Sequence, residues 1–215
     1  NGGSSSIQSQ GDVVAGGTLT ARADGSLSVQ GVLAAGQALD ARVGADLQVS
    51  SGILGNQNVT LETRDGDIAA GELVTGASLQ VAAGRDLTVG GRLVAEGDAA
   101  LNAGRNVALV GPVGVAGSMR VQAQGSLVAS ADTLVLGDAH LVTGGSQQMA
   151  GLLKVAADLS ATAGEIIHWM QSTQVGGDAK VSGQGLTFAG PTDVAGSAQL
   201  TAGTGGVTAA TLTAN

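Results

Sequence analysis

Apolar and polar residues alternate along this chain in short runs, and the runs return in the same order about every 20 residues. One apolar column reads Leu27, Leu47, Ile68, Leu87, Val107 and Leu127, and no step departs from the common one by more than a single position. Its frame continues through Gln147, Ile167, Leu186 and Val207. A second column reads Leu19, Leu39, Val59, Leu79, Ala99, Met119, Ala139, Leu159, Ala179 and Ala198, and a third reads Leu33, Ile53, Leu73, Leu93, Val113, Thr133 and Leu153. Within one repeat, Leu87 and Val89, then Leu93, then Ala99 and Leu101 form the apolar runs, with Gly91, Gly97 and Gly104 between them. Period two bounded by glycine predicts strands and turns. The apolar spacing of an amphipathic helix is absent from every window of about 11 residues.

Because each column returns at the same phase, each strand is expected to lie beside its own counterpart one repeat later, in parallel. Three strands and three corners per repeat then close a right-handed, three-sided parallel β-helix of about ten coils, an all-β solenoid. At ~4.8 Å per coil the rod is about 50 Å long. A leucine-rich repeat has a similar period, but its LxxLxLxxN-like consensus and helical return are not seen. Leu27, Leu47, Leu79 and Leu87 are the expected core. Glycine, at 37 of 215 residues against two prolines, suggests many corners at positive φ. Residues 7–215 read as one domain. Asn1 to Ser6 (NGGSSS) reads as a flexible linker or cloning scar off the repeat, and after Val207 the apolar content thins, as for a frayed or cut last coil.

Charge and composition narrow the functional classes. The net charge is −8 with nine Lys and Arg, and no basic stripe is present, which disfavours nucleic-acid binding. The absence of cysteine excludes disulfides and thiolate metal sites, and suits a chain that crosses a membrane unfolded. No signal peptide and no long uninterrupted apolar run is present, so no membrane insertion is expected. One Trp, one Phe and no Tyr leave few rings on which a sugar could stack, which counts against a carbohydrate-processing enzyme.

Few side chains suggest chemistry. Asp46, Asp67, Asp86 and Asn106 hold the same place in successive repeats, and would stack into a ladder at a corner. Such a ladder either binds a cation or bonds local backbone, with Arg85 and Arg105 offsetting its charge; the corner role is preferred. The calcium nonapeptide GGxGxDxUx is missing. His140 and His168 lack a nucleophile or ligand context and read as surface residues. Arg64-Asp65-Gly66 holds the letters of an integrin-binding tripeptide in the wrong order. The segment Glu165 to Val175 (EIIHWMQSTQV) departs most from the repeat. In frame, Trp169 points inward in a column with Met149 and Phe188, opposite Ala139, Ala161, Ala179 and Ala198, so large faces small. Ile166, His168 and Met170 point outward and make the candidate interaction patch. No catalytic residue, metal ligand or cofactor is expected.

The phrase AGRDLTVGGRLVAEGDAALNAGRNVAL (residues 83–109) resembles the haemagglutinin repeats of the filamentous haemagglutinin family, and is similar to the shafts of related exoproteins, including contact-dependent inhibition proteins. The shared element GxDLxVxGxLxAxGxxxLxAG is followed closely from residue 25 to 128 and loosely from 130 to 202. This resemblance implies a long adhesin, secreted to the surface of Gram-negative bacteria through an outer-membrane two-partner-secretion transporter. The family's secretion domain and an RGD are not visible, so no binding residue carries over. The expected function is a shaft segment, a monomeric rod that holds distal binding regions away from the cell. The alternative is a binding module that contacts a host receptor or glycan through one face, for which the outward column Thr20, Thr60, Ser160 and Gln199 is a candidate. A polysaccharide lyase or hydrolase is the least favoured reading, because coils this short leave no long loops to build a groove.

Overall fold

The computed structural model describes residues 5–215. Among these residues every strand pairing is parallel and there is no helix. As far as Leu159–Ala163 each strand bonds to the strand three places on, in the next coil; beyond it, the long strands Ala179–Val194 and Ala198–Ala214 each run through all three sides. Leu27–Val29 pairs with Leu47–Val49, Val32–Ala35 with Gly52–Gly55, and Leu39–Val43 with Val59–Thr63. Three sheets therefore run the length of the molecule, one on each side of a triangular coil. Sheet 1 is built from the Leu27 column, sheet 2 from the Leu33 column and sheet 3 from the Leu39 column.

The register follows the apolar columns residue by residue. Leu47 pairs with Ile68 and Ile68 with Leu87, so a coil slightly longer than the rest is followed by one slightly shorter, without loss of phase. Phase is strictly held because side chains alternate across a strand, and a slip of one position would turn the whole apolar set outward. Leu27, Leu47, Leu79 and Leu87 are all buried, as are Trp169 and Phe188, while Gln80 is exposed between buried Leu79 and Val81. The sheet 3 strands are longer than the others, as Leu79–Ala83 is beside Leu73–Thr75, so sheet 3 contributes three inward side chains per coil. The interior is one continuous apolar cluster from Leu27 to Val194.

Corners add backbone bonds of their own. Leu27 N donates to Asp46 O at 2.9 Å and Gly44 N to Ala23 O at 2.9 Å, so the coil-to-coil bonding hardly lapses where the chain turns. It already includes Ser5 and Ser6, which the sequence pattern assigns to the linker. Gly25 N donates to Ser5 O at 2.8 Å, and Ser26 N to Ser6 Oγ at 3.1 Å. The rest of that segment, residues 1–4, lies outside the described residues. Nor is the last coil frayed. Strand Ala198–Ala214 stays paired with Ala179–Val194 across all three sides, and Val207 and Leu212 are exposed only because no described coil covers them.

The glycines do a different job from the one expected. Among the described residues only Gly206 has a positive φ, at 67°, in the corner from Gly203 to Gly206 where the coil lengthens against the one beneath. Most corner glycines instead lie against the coil beneath. A Cβ on Gly104 would collide with the carbonyl oxygen of Gly84, and one on Gly36 with that of Gly16. The corner is tight because the chain must reverse direction at the same ~4.8 Å rise that the strands impose. Gly114 is different: it stands in the middle of strand Val113–Val115, facing out, and a Cβ there would meet nothing within 4 Å.

Two pairs of substitutions test this account. Leu79→Asp should cost at least about 3 kcal/mol in a denaturant titration, since it buries an unpaired charge, and Gln80→Asp next to it should cost little. Gly104→Ala should destabilise by about 1 kcal/mol or more through overlap, whereas Gly114→Ala should be neutral or stabilise by roughly 0.5–1 kcal/mol by reducing unfolded-state freedom.

Candidate functional site

The most regular chemistry on the surface lies at the corners. The residue that precedes a strand column, unless it is proline as at Pro112 and Pro191, has an N–H to place at the corner. At the corner before sheet 1, that N–H is met by a side chain of the preceding coil. Asp67 N donates to Asp46 Oδ1 at 2.9 Å, Asp86 N to Asp67 Oδ1 at 3.0 Å, Asn106 N to Asp86 Oδ1 at 3.0 Å, and Ser126 N to Asn106 Oδ1 at 2.9 Å. Ser146 N continues the ladder to Ser126 Oγ at 3.1 Å. The Asp46–Asp67–Asp86–Asn106 ladder is thus a backbone-bonding device, and one oxygen of each carboxylate is engaged in it.

Arginines offset the charge of these carboxylates. Arg85 reaches Asp67 Oδ2 at 2.9 Å and Asp46 Oδ1 at 3.3 Å, and Arg105 lies 3.9 Å from Asp67 and bonds Asp86. The Asp67 carboxyl is held below its ordinary value of 3.8, first by the N–H of Asp86 and then by Arg85 and Arg105, against some desolvation. Among the described residues, no group of three or more His, Cys, Asp or Glu side chains is placed to hold a metal ion.

A second ladder, which the sequence reading missed, runs along the corner before sheet 3. Ser78 N donates to Asn58 Oδ1 at 3.1 Å, Ser118 N to Asp98 Oδ1 at 2.8 Å, and Asp138 N to Ser118 Oγ at 3.2 Å. Asp158, Asp178 and Ser197 then donate in turn to Asp138, Asp158 and Asp178, at 3.1, 2.8 and 2.8 Å. The third corner uses the device twice, with Val32 N on Asp12 Oδ1 at 2.8 Å and Leu152 N on Asp132 Oδ1 at 2.9 Å. A legible signal existed. From Val59 onward the residue just before the Leu19 column reads Asn58, Ser78, Asp98, Ser118, Asp138, Asp158, Asp178 and Ser197, all short acceptors, whereas Ala38 earlier in the column is not one.

The other candidate residues are dispersed along the sheets. His140 stands on the outer face of sheet 3 between Arg120 and Ser160, and His168 on that of sheet 1 between Gln148 and Thr187. Ile166, the first residue of the sheet 1 strand Ile166–Trp169, is 54% exposed, and Met170 is half-buried just after that strand, with His168 between. The three form a row across one face rather than a pocket. Concavities are shallow grooves. One is lined by Arg22, Asp24, Arg42, Glu62 and Arg64, where Arg42 bonds Asp40 at 2.8 Å and lies 3.7 Å from Glu62. Two more adjoin along sheet 3, sharing Asp138 and His140.

Inside the rod, Trp169 sits between Met149 and Phe188 in its column and meets Phe188 edge-on, with ring centroids 5.2 Å apart. Buried threonines divide into two kinds. Thr63 and Thr143 end their strands and donate to the corner carbonyls of Gly66 and Gly145 at 2.8 and 3.1 Å. Thr133, Thr173 and Thr192 occupy the inward column of sheet 2, where only side chains face them, and their hydroxyls have no protein partner; nor do Trp169 Nε1 and Gln147 Oε1. Gln147 still donates its Nε2 to Thr162 O at 2.8 Å and Leu141 O at 3.2 Å. The chain matches no model of a known protein family, no curated protein and no solved structure.

Asp67→Ala, which removes the acceptor for Asp86 N, should cost about 1 kcal/mol, and Asp67→Asn, which keeps an acceptor, should cost less. Because the folded carboxyl titrates below 3.8, its contribution is present above that pH and lost as pH falls through the folded value. Melting scans from pH 6 to 2 should therefore show a shallower acid decline for both variants. Millimolar calcium should leave the melting temperature unchanged; a rise abolished by Asp67→Ala would reassign the ladder to cation binding. Thr173→Val should stabilise by about 1 kcal/mol, since it removes a buried hydroxyl without a partner.

Proposed function

We propose that this chain is a shaft segment of a large secreted bacterial surface adhesin, a rigid spacer that holds other regions at a distance from the cell. The observation that carries the reading is the constancy of the coil. Registers keep within one position of a common step along the whole rod, as in Leu47 to Ile68 and Ile68 to Leu87, with no inserted loop to wall a cleft. Load along such a rod is shared by parallel ladders on three sides and by the side-chain bonds at the corners. The likeness of residues 83–109 to the haemagglutinin repeats points the same way, and brings with it export through an outer-membrane two-partner-secretion transporter. No helix among the described residues is long and apolar enough to cross a membrane.

The second reading, a module that binds a host receptor or glycan, has one observation in its favour. The adjoining grooves on sheet 3 present Gln80, Arg120, His140, Ser160 and Lys180 beside the Asp98–Asp178 ladder. The row is polar and lacks the aromatic anchors of an interface hot spot.

A glycan array and a host-cell binding assay on this segment separate the two. The shaft reading expects no hydrolase or lyase activity, weak binding at most, and no single outward residue that is essential. Loss of adhesion in the pair Ile166→Ser and Met170→Ser, or in His140→Ala, with unchanged thermal stability, would establish the binding module instead.

A further inference from the structure

Sheet 2 has an outer face unlike the other two. Its outward column reads Val14, Ala34, Leu54, Val74, Val94, Gly114 and Leu134 before it turns polar at Lys154. Over the same coils sheet 1 mixes polar with small or apolar residues, Gln8, Ser28, Gln48, Ala69, Thr88, Ala108 and Val128, and sheet 3 is polar except at Ala100, as at Thr20, Asp40, Thr60 and Arg120. Val14 is 70% and Leu134 41% exposed, and neighbours in the column cover part of one another. Singly exposed aliphatic residues are ordinary; an aliphatic stripe along seven coils, interrupted only by Gly114, is not.

We propose that this face docks a second copy of the same chain, face to face and antiparallel, about a two-fold axis that lies along the strand direction between the coils of Val74 and Val94. The stripe is self-complementary in that arrangement. The axis brings Val74 opposite Val94, Leu54 opposite Gly114, Ala34 opposite Leu134, and Val14 opposite Lys154. Flanking columns match in the same way, with Gly36 opposite Leu136 and Gly52 opposite Pro112. Large meets small where Leu54 faces Gly114 and Ala34 faces Leu134, and at the centre two valines meet. That is what an isologous interface requires of its two halves.

Charge selects the same axis. Glu72 and Arg92, which form an ion pair at 2.6 Å within the chain, come opposite Arg92 and Glu72 of the second copy and close a reciprocal four-charge ring. Lys154 comes over the coil of Asp12. An axis one half-step away, through the coil of Val74, would instead put Glu72 against Glu72 and Asp12 against Asp132. Gly114 gives a further reason. Glycine in mid-strand weakens the strand and marks close approach by another backbone or group. Nothing in its own chain requires it, since a Cβ there has open space, whereas the side chain of Leu54 from a second copy needs that space.

The face spans eight coils at ~4.8 Å and about 13 Å of strand, roughly 500 Å² per copy. Its total of about 1,000 Å² is at the lower end for specific association, so the dimer is a weak, reversible one that gains strength where rods lie side by side over greater lengths. This inference does not rest on the adhesive reading; it concerns how rods bundle, and it replaces the monomeric rod expected from sequence.

The test uses sedimentation velocity up to about 1 mM protein together with cross-linking. The chain has no cysteine of its own. A Leu54→Cys chain mixed with a Gly114→Cys chain should be joined by a short bis-maleimide, while Leu54→Cys alone should not, because its copies lie three coils, about 14 Å, apart along the axis. Gly114→Arg should weaken dimerisation at least about tenfold with an unchanged melting temperature. Glu72→Arg should also weaken it, and adding Arg92→Glu should restore it. A monomer at every concentration, efficient joining of Leu54→Cys to itself, or a Gly114→Arg chain that dimerises like the parent would overturn the proposal.

Discussion

Everything in this molecule follows from one constraint: each coil must bond to the coil beneath it at the fixed spacing of a parallel sheet. Backbone N–H and C=O groups along all three sides have no alternative partner in the interior, so the spacing is obligatory. Once imposed, it stacks every residue on its own counterpart. Leu27 lies on Leu47, Ser28 on Gln48 and Val29 on Val49, and the interior becomes three sets of columns instead of a jigsaw of unlike neighbours. Volume can then drift along the axis only if a facing column compensates. Where Met149, Trp169 and Phe188 enlarge one column, Ala139 and Ala179 thin one column of sheet 3 and Ala161 thins the next, and all six remain buried.

The same constraint makes the corners the difficult part. A sheet bonds itself, but a chain that turns through a triangle's corner points amides where no carbonyl waits. Two devices solve this. Glycine lets the turning chain lie against the carbonyl beneath it, as at Gly104 on Gly84. A short acceptor then takes the N–H of the next coil, as Asp158 takes that of Asp178 at 2.8 Å. Both are local, can recur from coil to coil and need no partner from elsewhere. They are therefore as extensible as the strands.

How far this was legible in the sequence depends on what each feature demands of its residues. The strand columns could be read because the interior accepts only apolar side chains, so phase is visible through every change from Leu to Val to Ala. The acidic corner before sheet 1 was visible because Asp46, Asp67 and Asp86 repeat one residue type. Its twin before sheet 3 was hidden, since Asn58, Ser78, Asp98 and Ser118 share only a short acceptor oxygen. Glycine was seen but misread. A count of glycines cannot distinguish positive φ, needed at Gly206, from absence of a side chain, needed at Gly104. The unpartnered hydroxyls of Thr133, Thr173 and Thr192 were unreadable, because a buried threonine is satisfied or not according to whether a corner carbonyl is near.

A rod made this way separates stability from function more cleanly than a globular domain does. The inward columns and the corner acceptors are committed to bonding between coils. Each coil keeps only its outward positions free, one on sheet 1, one on sheet 2 and two on sheet 3, and any use of them is repeated with the period of the rod. A convergent catalytic cluster needs side chains aimed at one point from several directions, whereas the flat faces of this rod diverge around a triangle. What they provide is a line. Polar residues recur along the outward columns of sheets 1 and 3, while the aliphatic line on sheet 2 runs from Val14 to Leu134 with only Gly114 interrupting it. Recognition by such a surface is necessarily linear and periodic, and the partner best matched to a line with this period is another line of the same kind.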